Sequence, residues 1–233
     1  MKQILSLVSA VLIFAVGCTT FNLQETLKET AVIAPHQAIT VLPQGPSSDD
    51  MDFAECVSRT VQRTSPSLRF ISTQEFRDAL FPWFEPGTAP DTLEELASLL
   101  NKPLVDERIA SLGVRYVIRV GGATIQQPFE GPIFCGVGPG GGGCIGYIAA
   151  DRESHISATI WDLEEADSPG TVDVEASGTI VVPAFILPFF VTPAMTETYA
   201  CSVMGERLAG FISGEKRGGD NPIDSLPGLA TSD

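Results

Sequence analysis

Basic residues are scarce in this 233-residue chain, in which 14 Lys and Arg stand against 29 Asp and Glu and give a formal charge of −15 at neutral pH. A surface this acidic repels the phosphates of nucleic acids and the head groups of anionic lipids. The composition therefore argues against nucleic-acid binding and against electrostatic adsorption of the protein to a membrane. A cationic partner is compatible with it.

Histidine is rarer still, with only His36 and His155 in the chain. A nucleophilic cysteine needs a base within hydrogen-bonding reach, so the sequence favours a protein that is not an enzyme and holds no cofactor or metal. The alternative is an envelope hydrolase or metal-binding protein that uses Asp151, Glu153 and His155. Alternation along a strand predicts instead that His155 and Trp161 share a solvated face.

The sequence also lacks an apolar run long enough to cross the ~30 Å hydrocarbon core of a bilayer. The run Ile4–Val16 follows Lys2 and is too short for that purpose, and Cys18 comes directly after Ala15-Val16-Gly17. This pattern is typical of a lipoprotein signal peptide, and it predicts that residues 1–17 are removed and that Cys18 is lipidated. An ordinary signal peptide cut nearby would instead leave Cys18 as a free thiol.

Lipidation of Cys18 predicts a location in the bacterial cell envelope, because several acyl chains together anchor a protein durably. Thr19 follows the cysteine, where lipoproteins retained at the inner membrane usually carry aspartate. We therefore predict attachment to the outer membrane, facing the periplasm. Residues 18–37 are polar and mixed, and we expect them to form a flexible lipidated tether.

Residues 38–213 are predicted to form a single periplasmic domain, and the Gly, Pro and Ser-rich residues 214–233 a disordered tail. Helix signals concentrate in the first half and alternating strands in the second. This order predicts an α+β fold with one mixed, largely antiparallel sheet and helices packed on one face. The predicted strands are Ala38–Pro43, Leu68–Ile71, Val114–Thr124, His155–Leu163 and Val172–Ile180. The predicted helices are Met51–Arg63, one from Thr73, one that starts with an acidic cap within Pro90–Glu94, Val105–Leu112 and Thr196–Ile212.

One stretch resembles a known family. After the strand Ala38–Pro43, the run Asp106–Ile118 joins a helix that ends in Leu112-Gly113 to a following strand. Over residues 38–121 this looks like the α/β module of TolB amino-terminal domains and of curli-secretion-type lipoproteins. The whole chain resembles an uncharacterised group of proteobacterial lipoproteins. The resemblance implies a scaffolding or assembly role in the envelope and supplies no catalytic residue.

Besides Cys18, the chain has four cysteines, and disulfides persist in the predicted compartment. Cys135 and Cys144 form the most local of the possible pairs and would close the glycine-rich segment Gly136–Gly143. That pairing leaves Cys56 and Cys201, each on the apolar stripe of a predicted helix, to bridge two packed helices. Two buried free thiols are the alternative for these last two residues.

Two segments are candidate contact surfaces. The glycine-rich segment lacks the Lys-Ser/Thr that follows a phosphate-binding loop, so we interpret it as a flexible surface loop that contacts a partner. Ile180–Val191 carries no charge and no polar side chain, contains two prolines and is too short to span a bilayer. It is either wrapped into the core or exposed to an envelope protein or to lipid. The candidate interaction residues within it are Phe185, Ile186, Leu187, Phe189 and Phe190.

Overall fold

The computed structural model describes residues 19–28, 33–85, 87–138, 141–184 and 194–214. The predicted signal peptide, Cys18, the tail beyond residue 214 and the candidate interaction residues 185–190 lie outside the described residues. The α+β class is confirmed, since a mixed seven-stranded sheet packs against helices. Within the described part of the chain, no helix is long and apolar enough to cross a membrane.

The sheet has the strand order β1-β7-β6-β4-β2-β3, and β5 pairs with β6 off this path. Strand β2 runs parallel to β3 and β4, and the other pairs are antiparallel. The strands are β1 Thr19–Leu27, β2 Ala38–Pro43, β3 Arg69–Phe70, β4 Val114–Gln126, β5 Ile133–Gly138, β6 Gly141–Asp162 and β7 Asp167–Ala184. The helices are α1 Ser48–Thr64, α2 Thr73–Ala79, α3 Leu93–Leu100, α4 Pro103–Leu112 and α5 Thr196–Ser213.

Local capping explains where the shorter helices begin and end. The side-chain oxygens of Ser72 and Thr92 accept hydrogen bonds from the backbone N–H groups of Glu75 and Glu95, which satisfies donors that a helix leaves free in its first turn. Gly113 ends α4 with a φ of 67°, in the left-handed region that a side chain disfavours. The Ser72 cap and the Gly113 end agree with the sequence prediction, whereas α3 is capped by Thr92 and not by the acidic residue that we predicted.

Helices cover both faces of the sheet around β2 and β4, rather than the single face that we expected. On one face α1 and α5 pack over a cluster that includes Ile118 and Ile156, and on the other α2, α3 and α4 pack over Val117 and Trp161. Strands buried on both faces carry continuous apolar runs, as β2 does. Trp161 is consequently buried and not solvated as predicted.

The flexible tether predicted for residues 18–37 is wrong for its first part, because Thr19–Leu27 forms the edge strand β1. It pairs antiparallel with β7, from Thr19 opposite Gly178 to Leu27 opposite Gly170. Phe21 and Leu23 pack on the core, and the Phe21 ring centroid lies 5.5 Å from that of Tyr199. Apolar residues at alternate positions give a strand one face for the core.

Both predicted disulfides are confirmed. Cys56–Cys201 joins α1 to α5 with a Cα–Cα distance of 6.1 Å. Cys135–Cys144 joins two residues that lie directly opposite each other in β5 and β6. The glycine-rich segment is therefore largely a cross-linked β-hairpin and not the flexible loop that we expected.

Replacing Cys56 and Cys201 by alanine should reduce the free energy of unfolding more than replacing Cys135 and Cys144 does. The first bridge spans 145 residues and the second spans 9, so the first restricts the unfolded chain far more. The loop-closure model gives a difference of about 2 kcal/mol. Urea unfolding of the two double variants under oxidising conditions measures it, and an equal or larger loss for the local pair would contradict the expectation.

Candidate functional site

Strands β6 and β7 extend well beyond the helices that cover them. They pair from Asp162 opposite Asp167 to Gly146 opposite Ala184. Helix α5 begins over the middle of this ribbon, where the Ser154 hydroxyl donates a hydrogen bond to Oγ1 of Thr196 over 2.9 Å. The part beyond consists of β5, residues 141–150 of β6 and residues 180–184 of β7, and we call it the β arm.

The β arm carries no charge. Residues 131–150 contain no Asp, Glu, Lys or Arg, and neither do residues 180–184, in a chain whose formal charge is −15. The charged surface resumes at Glu130, which pairs with Ala149, and at Asp151, whose carboxylate accepts a hydrogen bond of 2.8 Å from the Thr179 hydroxyl. A sharp boundary therefore separates the uncharged β arm from the acidic body of the protein.

Large apolar side chains are exposed on both faces of the β arm. Phe134 lies opposite Ile145 on one face, where their exposed fractions are 70% and 63%. Val137 and Ile133 occupy the other face by strand alternation, and Val137 is 92% exposed. Exposed apolar patches of this kind mark interaction surfaces in folded proteins.

Two glycines allow the β arm to form at its root. A Cβ atom on Gly146 would lie 2.1 Å from the carbonyl oxygen of Pro132, and one on Gly131 would lie 2.2 Å from that of Tyr147. Any side chain at either position would therefore push the neighbouring strands apart. These glycines are a sequence signal for close strand approach that our interpretation of the segment as a loop missed.

The residues of the alternative metal or hydrolase site lie in a row and do not converge. Asp151, Glu153 and His155 are exposed at alternate positions of β6, and the first two line a shallow groove with a volume of about 370 Å³. A strand rise of about 3.3 Å per residue sets Asp151 and His155 roughly 13 Å apart, too far for both to bind one ion. Among the described residues, no group of three metal-ligating side chains comes together.

The carboxyl group of Glu153 in this row interacts with that of Glu175 on β7. A hydrogen bond with Glu175, and then the repulsion between the two negative charges, raise the pKa of Glu153 above its usual value. This electrostatic coupling joins β6 to β7 on the open face of the sheet.

A buried arginine, which the sequence did not single out, organises the opposite end of the molecule. Arg119 donates hydrogen bonds of 2.7 Å to the carbonyl oxygens of Pro90 and Gln44, and its guanidinium lies 4.7 Å from the centre of the Trp161 ring. Asp91 accepts a further hydrogen bond from it over 3.1 Å. These contacts compensate for the burial of the positive charge on Arg119. The arginine thereby joins the loops that contain Gln44 and Pro90 to the sheet.

No family model matches the chain, and no curated protein matches it in sequence. Among solved structures, it is similar to two PelC dodecamers from Paraburkholderia phytofirmans. The first has 12% identity and a TM-score of 0.37, with coverage of 83% of this chain and 99% of that chain. The second has 13% identity and a TM-score of 0.36, with coverage of 82% of this chain and 97% of that chain. It is also similar to a putative neuraminyllactose-binding hemagglutinin homolog from Helicobacter pylori, with 12% identity, a TM-score of 0.29 and coverage of 82% and 85%. These likenesses are too distant to bear on function.

Replacing Phe134 by alanine should change the free energy of unfolding by less than about 0.5 kcal/mol, because its side chain is already solvated. Replacing Phe76, which is fully buried against Phe84, should cost about 3 to 5 kcal/mol. Urea unfolding of both variants measures the contrast. A large loss for Phe134→Ala would show that the β arm is part of the core.

Replacing Glu175 by glutamine should lower the pKa of Glu153 towards its usual value, because the substitution removes the hydrogen bond with the Glu175 carboxyl and the repelling negative charge. In the wild type the raised pKa favours the folded state below the ordinary glutamate pKa, and this contribution is lost as the pH rises through the raised value. Carboxyl-carbon NMR titration of Glu153 measures the shift. An unchanged titration curve in Glu175→Gln would contradict the coupling.

Proposed function

We propose that the protein is a lipid-anchored lipoprotein of the bacterial cell envelope that acts as a non-enzymatic module, binding or positioning another envelope component. The observation that carries this proposal is the β arm, an uncharged extension of an otherwise acidic protein that exposes large apolar side chains. Folded proteins seldom expose large apolar side chains together unless that surface meets a partner or lipid.

The proposed location rests on the amino-terminal pattern and on the cysteines. The basic and then apolar start, with small residues before Cys18, supports cleavage and lipidation there. The Cys56–Cys201 and Cys135–Cys144 pairs suit an oxidising compartment such as the periplasm. Thr19 in place of aspartate favours the outer membrane.

The proposed contact surface is the β arm, with the apolar residues that follow it in the sequence. Phe185, Ile186, Leu187, Phe189 and Phe190 come directly after the last β arm residue, Ala184, and lie outside the described residues. They would extend the uncharged character of the β arm along the chain. An envelope protein or the membrane is the expected partner, and nucleic acid is not.

The enzymatic alternative receives less support. A hydrolase or metal site needs its groups to converge on one reacting atom or ion, and Asp151, Glu153 and His155 stand in a row along β6. Metal analysis of the purified protein tests this alternative directly. A stoichiometric ion that is lost in His155→Ala would favour it over a binding module.

Chemical crosslinking with mass spectrometry on intact cells tests the proposed function. The protein should be recovered from the membrane fraction with an acylated Cys18, and its crosslinks to envelope components should decrease in Phe134→Asp and Ile145→Asp. These substitutions place a charge on an exposed surface of the β arm, so they should leave the fold intact.

Leu104→Asp is the matched control, because Leu104 is 51% exposed on α4 and lies outside the β arm. Its crosslinks should equal those of the wild type. Recovery of the protein in the soluble fraction with an unmodified Cys18 would contradict the anchor. Crosslinks that are identical in all variants would contradict a binding role for the β arm.

A further inference from the structure

We infer that the β arm lies in the interfacial layer of the bilayer that holds the lipid anchor, so that lipid is the partner of its exposed apolar side chains. This inference rests on the lipid anchor of the proposed function and adds to it the identity of the partner. It follows from the direction of β1, the absence of a linker and the distribution of apolar side chains.

The anchor and the β arm lie at the same end of the sheet, along the direction of the strands. Strand β1 is antiparallel to β7, so β1 followed back towards its amino terminus runs in the same direction as β7 followed towards Ala184. Thr19 is opposite Gly178, and the β arm begins at Ile180. The acyl chains on the preceding residue are therefore attached at the root of the β arm.

No tether separates the anchor from the folded sheet. Cys18 is bonded to Thr19, and adjacent Cα atoms are about 3.8 Å apart. Residues 141–150 extend about 30 Å in a strand, well past the point of attachment. The domain is therefore held close to the bilayer. Because the β arm projects from the end of the sheet that carries the anchor, the β arm reaches the lipid surface.

The two-sided exposure of the β arm distinguishes lipid from a protein partner. A sheet that docks on a protein presents one apolar face, whereas the β arm exposes Phe134 and Ile145 on one face and Val137 on the other. Lipid surrounds an inserted element and solvates both of its faces. The absence of charge over residues 131–150 permits this burial, because a charged side chain in hydrocarbon is costly.

The depth of insertion is limited by the backbone and by the acidic boundary. Strand β5 has β6 as its only pairing partner among the described strands, and an open strand edge is not tolerated in the hydrocarbon core. Tyr147 is exposed, and its amphipathic ring suits the head-group region. Asp151 and Glu153 mark where the charged surface begins. Because the β arm is about 30 Å long, these features fit an element that lies obliquely in the bilayer surface with its tip about 5 to 10 Å deep.

Quenching of tryptophan fluorescence by brominated lipids tests the inference. Phe134→Trp and Val137→Trp place a reporter on each face of the β arm in the full chain, expressed so that the anchor is attached. Each variant is reconstituted into phosphatidylcholine vesicles with or without brominated acyl chains. Both should lose fluorescence in the brominated vesicles, and more so when the bromines lie near the head groups than at mid-chain.

The matched control is Leu104→Trp, which places a reporter at an exposed site on α4. It should show no more quenching than the wild type, whose Trp83 and Trp161 provide the background. Circular dichroism and the disulfide content show whether each variant folds. Ile145→Trp and Ile133→Trp repeat the test on the same two faces if either first variant does not fold.

The outcomes separate this inference from the proposed function. An acylated Cys18 with unquenched reporters in the β arm would overturn the inference and leave the binding module standing. Quenching on one face only would also overturn it, since the other face would then stay out of the lipid and be available to a protein. A Cys18 without acyl chains in mass spectra would contradict the anchor itself, and the inference with it.

Discussion

The pairing of β1 with β7 is the constraint on which the rest of the account depends. It begins at Thr19, directly after the predicted lipidated cysteine, and it fixes the amino terminus of the folded part at one edge of the sheet. Because the pairing is antiparallel, the end of β7 at Ala184 points in the same direction as that terminus. The position of the anchor, the direction of the β arm and the lack of a spacer between them all follow from this one set of hydrogen bonds.

Much of the fold was predictable because its signals are local. Ser72 and Thr92 cap helices through their own side chains, Gly113 supplies a left-handed end, and alternation marks β4 and the hairpin of β6 and β7. The disulfides followed from an even cysteine count and from the apolar stripe shared by Cys56 and Cys201. Each of these inferences needs only neighbouring residues or one helical face.

The remaining features depend on contacts that are distant in sequence. Phe21 and Leu23 lie in a segment that we predicted to be a tether, and they form part of a strand only because β1 pairs with the edge of β7. The glycine-rich residues become a hairpin because β6 continues past its helices. The exposure of Phe134 and Val137 likewise depends on how far α1 and α5 reach along the sheet. No local sequence pattern predicts that distance. The candidate site was therefore located only in part, at the apolar residues that follow Ala184.

Neutron reflectometry of the lipidated protein on a supported phosphatidylcholine bilayer tests the central claim most directly, because it measures where protein density lies relative to the lipid. A domain whose sheet begins one residue after its anchor should have protein density that overlaps the head-group layer, with no hydrated gap. A layer of water between the bilayer and the protein would contradict the account. That result would restore the flexible tether that the polar residues 18–37 first suggested.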